Sequence, residues 1–195
     1  MAFGGAVWLR VGIRLEWRIG EERPQTDPYA QEDTDMLIAK ARKALEEGDH
    51  FWPAGIVNEL EPRQRGLALK AGIRATLALV AHMSPIDPKL KEWTESLVEP
   101  AHSEDVPRLM EQVENIWQGR TPLHMALSNF YTAKASLISP EDDPHQPNAR
   151  YQRYRMLLIT AFRFLGESAA QNQSLIERLF RSVEEVNAED GKLPV

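Results

Sequence analysis

The chain of 195 residues contains no cysteine. It can therefore form no disulfide, no cysteine nucleophile and no thiolate site for zinc or an iron–sulfur cluster. It also has no uninterrupted apolar run near the ~18 residues that a membrane-spanning helix needs. A basic N-terminal region followed by a continuous apolar stretch, the mark of a secretory signal, is missing too. These absences lead us to expect a soluble protein of the reducing cytoplasm with no membrane partner.

Positive charge is scarce, because 23 lysines and arginines stand against 29 acidic residues and leave a formal net charge of −6. An acidic chain is poorly suited to coating nucleic acid, although a local basic patch could still contact phosphates. Apolar residues make up 43% and charged residues 27% of the chain, as in ordinary globular proteins. The length suffices for one domain with a sizeable core.

Sequence motifs for catalysis and metal binding are missing as well. The chain has no G-x-S-x-G, no Walker A lysine and no G-x-G-x-x-G before a helix. No two of its five histidines stand three or four residues apart, the spacing that places two metal ligands on one helix face. We therefore name no catalytic residue, no cofactor and no metal site. The sequence favours a non-catalytic protein, and an enzyme whose active site is assembled from distant residues stays an open alternative.

Residues 7–19 carry the clearest pattern in the chain, an almost regular alternation in which charged residues, together with Trp8 and Gly12, stand between apolar ones. A period of two is typical of a β-strand with one buried face. Arginines at positions 10, 14 and 18 would also fit one face of a helix, but the β-branched residues and Gly12 favour the strand. The apolar members of the alternation are Val7, Leu9, Val11, Ile13, Leu15, Trp17 and Ile19.

After this segment the hydrophobic pattern is helical. We predict a mainly α fold, an irregular bundle of about seven helices with one N-terminal β-strand arm. The predicted divisions are a β arm (1–24), a linker (25–33), a helical domain (34–188) and a tail (189–195).

The residues expected at helix ends support these divisions. Asp87 before Pro88 and Thr121 before Pro122 are typical N-cap and first-turn pairs, and Gly48 is placed to end the first helix. We expect residues 49–57 to be irregular.

Three further helices have predicted bounds. One long helix should run from Pro62 to about residue 83, and the last two helices should span about 149–166 and 168–187. The apolar residues of one middle helix are expected to face inward; they are Leu90, Trp93, Leu97 and Val98. The next helix is predicted to begin near Ser103, and its apolar residues are Val106, Leu109, Met110, Val113, Ile116 and Trp117.

The predicted strand needs a partner, because its backbone donors and acceptors cannot remain unpaired. Inside the chain only residues 51–57 or 192–195 offer an extended mate, and each contains a proline, which interrupts a ladder. The strand could instead pair with the same strand of a second copy, or add to a sheet edge of another protein. We favour a partner outside the chain, and hence a protein–protein interaction or assembly role.

A second candidate surface lies on the helix predicted from residue 149. Its face away from the expected core mixes arginines with apolar residues, a composition typical of protein interfaces. The same arginines could contact phosphates, so a nucleic-acid-associated helical protein is the alternative, although the acidic chain disfavours it. The candidate residues are Arg153, Arg155, Met156, Ile159 and Arg163.

Overall fold

The computed structural model describes residues 34–48, 52–83, 85, 87–140 and 148–190. The predicted β arm, the linker and residues 191–195 of the tail lie outside the described residues. Within the described residues the chain is mainly helical and contains no strand, which confirms the helical part of the predicted fold. The eight helices are α1 (Thr34–Glu46), α2 (Trp52–Leu60), α3 (Leu67–Val80), α4 (Pro88–Val98), α5 (Val106–Trp117), α6 (Pro122–Ile138), α7 (Ala149–Ala169) and α8 (Gln173–Asp190).

The helix that the sequence did not predict is α2. Pro53 is its second residue, a position in the first turn where the missing N–H of proline costs no helical hydrogen bond. Trp52, Ile56 and Val57 are buried in the core. Much of the segment expected to be irregular is therefore a short core helix.

Helix α3 begins later than predicted, at Leu67 rather than at Pro62. Residues 61–66 form a turn that ends at Gly66, whose φ of +95° lies in the left-handed region that favours glycine. The carboxylate of Glu61 accepts hydrogen bonds from backbone N–H groups at the start of α3. This cap fixes where the helix starts, and the local pattern of apolar residues did not reveal it.

The predicted helix caps are confirmed at both proline-marked starts. The Asp87 side chain accepts a hydrogen bond from the Lys89 N–H at 2.9 Å. Thr121 Oγ1 accepts a hydrogen bond from the backbone N–H of His124 at 3.3 Å. These contacts satisfy N–H groups that have no partner inside the helix.

The core is centred on α6, which packs most extensively against α7 and also contacts α3, α4 and α5. The ring of Phe130 on α6 meets that of Phe162 on α7 edge to face, with centroids 5.9 Å apart. Helix α8 packs mainly against α3. Because α6 has neighbours on most sides, nearly all of its residues are buried or half-buried.

Two middle helices, α4 and α5, leave some of their large apolar side chains exposed. Val98 on α4 and Met110 and Trp117 on α5 are exposed, the tryptophan to 55%. The expectation that Val98 faces inward was therefore wrong. Met110 and Trp117 are exposed because α5 packs chiefly on the single helix α6. Only Leu109 and Ile116 of α5 are fully buried.

No helix in the described part of the chain combines the length and the apolar character needed to cross a bilayer.

Candidate functional site

The seven apolar residues of the predicted N-terminal strand lie outside the described residues. The candidate residues of α7 lie within them and fall into two groups. Arg153, Met156 and Arg163 are exposed, Met156 to 60%. Arg155 and Ile159 are half-buried on the flank of the helix.

Arg155 is engaged within the protein. Its guanidinium donates a hydrogen bond to Asn58 Oδ1 of α2 and stands over the ring of Tyr151, 6.0 Å from its centroid. Arg163 is paired along its own helix with Glu167 at 3.2 Å. Of the three predicted arginines, only Arg153 has no ion pair or hydrogen bond to a described residue. Among the candidate residues, α7 thus exposes one apolar side chain, Met156, and two cationic ones, Arg153 and Arg163.

A cavity of about 170 Å³ lies between α4, α5 and α6. The sequence pattern did not point to it. Its wall combines both signs of charge with the indole of Trp93 and the side chain of Leu109. The lining residues are Glu92, Trp93, Ser96, Glu99, Arg108, Leu109, Gln112, Tyr131 and Lys134.

Lys134 is a lysine held almost inside the core, with 8% of its surface exposed. Its ammonium donates hydrogen bonds to the carbonyl oxygens of Leu97, at 2.8 Å, and of Glu99. These carbonyls lie at the end of α4, where helical partners run out and the helix dipole favours a cation. Burial lowers the pKa of Lys134, while the nearby Glu99 opposes that shift.

Tyr131 closes the inner side of the cavity. Its hydroxyl donates a hydrogen bond to the carbonyl oxygen of Trp93 at 2.8 Å, so the hydroxyl of Ser96 is the donor in the 2.5 Å contact between them. Burial raises the pKa of Tyr131. The phenol is therefore neutral in the physiological range and holds α6 against α4.

The remaining charged groups of the cavity wall have few partners among the described residues. Arg108 pairs with Asp105 one turn earlier at 3.1 Å, which occupies one of its five N–H donors. The side chains of Glu92 and Glu99 are exposed and form no ion pair with a described residue. The wall thus holds two cations and two carboxylates. Arg108, Glu92 and Glu99 have most of their hydrogen-bonding capacity unused among the described residues, and Lys134 has one N–H donor left.

His124 lies next to this region, at the first turn of α6. Its ring packs edge to face with Trp93, with centroids 6.1 Å apart, and its Nδ1 lies 2.6 Å from Thr121 Oγ1. Since Thr121 Oγ1 already accepts the backbone N–H of His124, its own proton is available to a neutral Nδ1. Burial lowers the pKa of His124, although Asp87 opposes the shift.

Glu61 is the most buried carboxylate of the described residues, with 2% exposure. It accepts hydrogen bonds from the Ala68 N–H and from the Tyr154 hydroxyl, both at 3.0 Å, and from the Gly66 N–H at 3.2 Å. Burial raises its pKa despite these contacts. Because each of these donors belongs to the scaffold, Glu61 joins the end of α2 to α3 and α7.

The described residues contain no group of three or more histidines and carboxylates placed to hold a metal ion. No protein-family model, curated protein or solved structure matches the chain.

Sequence reasoning missed the cavity because its lining comes from three helices whose residues share no local motif. One signal was present in the sequence. Lys134 stands between Ala133 and Ala135 in a helix whose other residues are largely apolar or small. A lysine in such a helix usually has a specific partner when it is buried.

Proposed function

We propose that the protein is a non-catalytic assembly subunit whose predicted N-terminal strand, residues 7–19, pairs outside its own chain. The partner is a second copy of this chain or a sheet edge of another protein. The helical domain would then support an arm that makes the contact.

The main support for this proposal is that the longest internal mate of the predicted strand is largely helical, as part of α2. Residues 51–57 were the longest internal mate for the strand, and from Trp52 onward they belong to a helix. The backbone N–H and C=O groups of a helix form hydrogen bonds with each other within the helix, so they cannot pair with a neighbouring strand. Residues 192–195 lie outside the described residues, but four residues that include Pro194 could pair with only a fraction of a thirteen-residue strand.

Pairing between two copies is the form that we favour, because two antiparallel copies of one strand present the same edge to each other. A face of seven apolar residues also needs burial, and a second copy would supply an equal apolar face. The exposed Met156 and Trp117 give the helical domain side chains that are enriched in protein interfaces.

The nucleic-acid alternative has less support from the described residues. Arg155 is held by Asn58 and Tyr151, and Arg163 is paired with Glu167. Phosphate binding would have to compete with these contacts, and the net charge of −6 opposes it.

Substitutions on the two faces of the predicted strand test the proposal. Replacing Val11 and Ile13 with lysine should reduce the molecular mass in light scattering to that of one copy. Replacing Arg10 and Arg14 with glutamine, on the opposite face, should preserve the oligomer. If both double variants keep the mass of the intact protein, face-specific strand pairing is wrong.

A further inference from the structure

The cavity between α4, α5 and α6 has the volume of a small molecule. At ~30 Å³ for each water, a volume of about 170 Å³ has room for roughly six waters. This volume lies below the ~300 Å³ at which pockets for drug-sized ligands begin. A fitting ligand therefore has only about six to eight non-hydrogen atoms.

The buried lysine provides one charged contact inside the cavity. A lysine ammonium has three N–H donors. Two of those of Lys134 are used on the carbonyl oxygens of Leu97 and Glu99. The third has no acceptor among the described residues, so an anionic oxygen in the cavity would complete its hydrogen bonding. Arg108, on the facing helix α5, offers further donors to the same anion.

The two carboxylates of the wall restrict the charge of the ligand. Glu92 and Glu99 line the cavity together with Tyr131, so a bound ligand lies close to both negative charges. A purely anionic ligand would be repelled by these carboxylates, and a purely cationic ligand by Lys134 and Arg108. A molecule that carries one charge of each sign can bind its negative group to Lys134 and Arg108 and its positive group to Glu92 and Glu99.

We propose that this cavity binds a small zwitterionic α-amino acid, of the size of alanine, serine or valine. Its carboxylate accepts hydrogen bonds from Lys134 and Arg108, and its ammonium donates to Glu92 and Glu99. Trp93 and Leu109 form the apolar surface against which a short side chain packs. All residues named for the site belong to α4 and its C-terminal end, α5 and α6, so this inference does not rest on the proposed assembly role.

Calorimetric titration of the full-length protein with L-alanine, L-serine and L-valine tests the site. At least one of them should bind, while propionate, which lacks the ammonium, and ethylamine, which lacks the carboxylate, should bind roughly tenfold or more weakly. Loss of a charge-assisted hydrogen bond has an effect of this size. Absence of binding by all three amino acids up to about 10 mM, or equal binding of propionate, would overturn the proposal.

Two wall residues locate the binding site without disturbing the core. Arg108→Gln and Glu92→Gln change exposed side chains, and each should weaken amino-acid binding by roughly tenfold or more. The matched controls Arg181→Gln on α8 and Glu95→Gln on α4 are exposed and outside the cavity wall, and they should leave binding unchanged. Amino-acid binding that neither wall variant weakens would place the site elsewhere and contradict the assignment. Lys134 is unsuited to this test because its replacement also removes two hydrogen bonds from the end of α4.

Discussion

Among single residues, His124 gives the protein a predictable response to pH. Its pKa is lowered from 6.5 by burial, so the unfolded chain binds a proton at a pH where the folded protein does not. A cation at the first turn of α6 would also oppose the helix dipole. The stability contributed by neutral His124 is therefore complete above about pH 6.5 and is lost as the pH falls toward the folded pKa.

Urea denaturation at about pH 8 and about pH 5 measures this effect. The free energy of unfolding should be lower at about pH 5 than at about pH 8. In the His124→Gln variant this difference should be smaller. His82→Gln, at an exposed histidine, should keep the response of the intact protein. An equal response in the intact protein and in His124→Gln would show that His124 does not cause it.

Glu61 is the second residue with a specific structural role. Replacing it with leucine leaves the N–H groups of Gly66 and Ala68 and the Tyr154 hydroxyl without their acceptor. We expect Glu61→Leu to lower the free energy of unfolding by about 3 kcal/mol, and Glu61→Gln, which keeps one acceptor oxygen, by about 1 kcal/mol.

Denaturant titration of both Glu61 variants checks this order, with Glu185→Gln on the exposed side of α8 as the control for a lost surface charge. A Glu61→Leu variant as stable as the intact protein would contradict a capping role for this carboxylate.

At the scale of helices, two glycines show how closely α3 and α6 are packed. A Cβ on Gly72 of α3 would lie 2.3 Å from ring atoms of the buried Phe130 on α6, while a Cβ on Gly55 of α2 would meet nothing within 4 Å. Gly72→Ala should therefore lower the free energy of unfolding by about 1–3 kcal/mol. Gly55→Ala should raise it by up to about 1 kcal/mol, because alanine is the better helix former.

Thermal and urea unfolding of the two alanine variants give the comparison. If Gly72→Ala is as stable as Gly55→Ala, Phe130 has room to move and the contact between α3 and α6 is looser than its geometry indicates.

Helix ends were predictable where the signal was local. Asp87 with Pro88 and Thr121 with Pro122 marked two starts correctly, because these caps act within one turn. The start of α3 was missed because its cap, Glu61, acts across a six-residue turn and depends on Tyr154 of α7. Helix α2 was missed because residues 49–57 were expected to be irregular, whereas Pro53 falls in the first turn, which accepts a proline.

For the molecule as a whole, the sequence predicted a mainly helical chain but not the cavity. Periodicity shows which face of a helix is apolar, whereas a cavity depends on how three helices are spaced. The exposed Met110 and Trp117 are a second example of what periodicity does not show. The apolar pattern of α5 did not reveal that this helix packs chiefly on one neighbour, α6.

Removal of residues 1–24 tests the assembly role most directly. Light scattering of the intact chain should give the molecular mass of two or more copies of 22.2 kDa each. The shortened chain should have the mass of one copy. Circular dichroism should show that the helices are retained in the shortened chain. An intact chain with the mass of one copy, or a shortened helical chain that keeps the same number of copies, would contradict pairing between copies through the N-terminal strand.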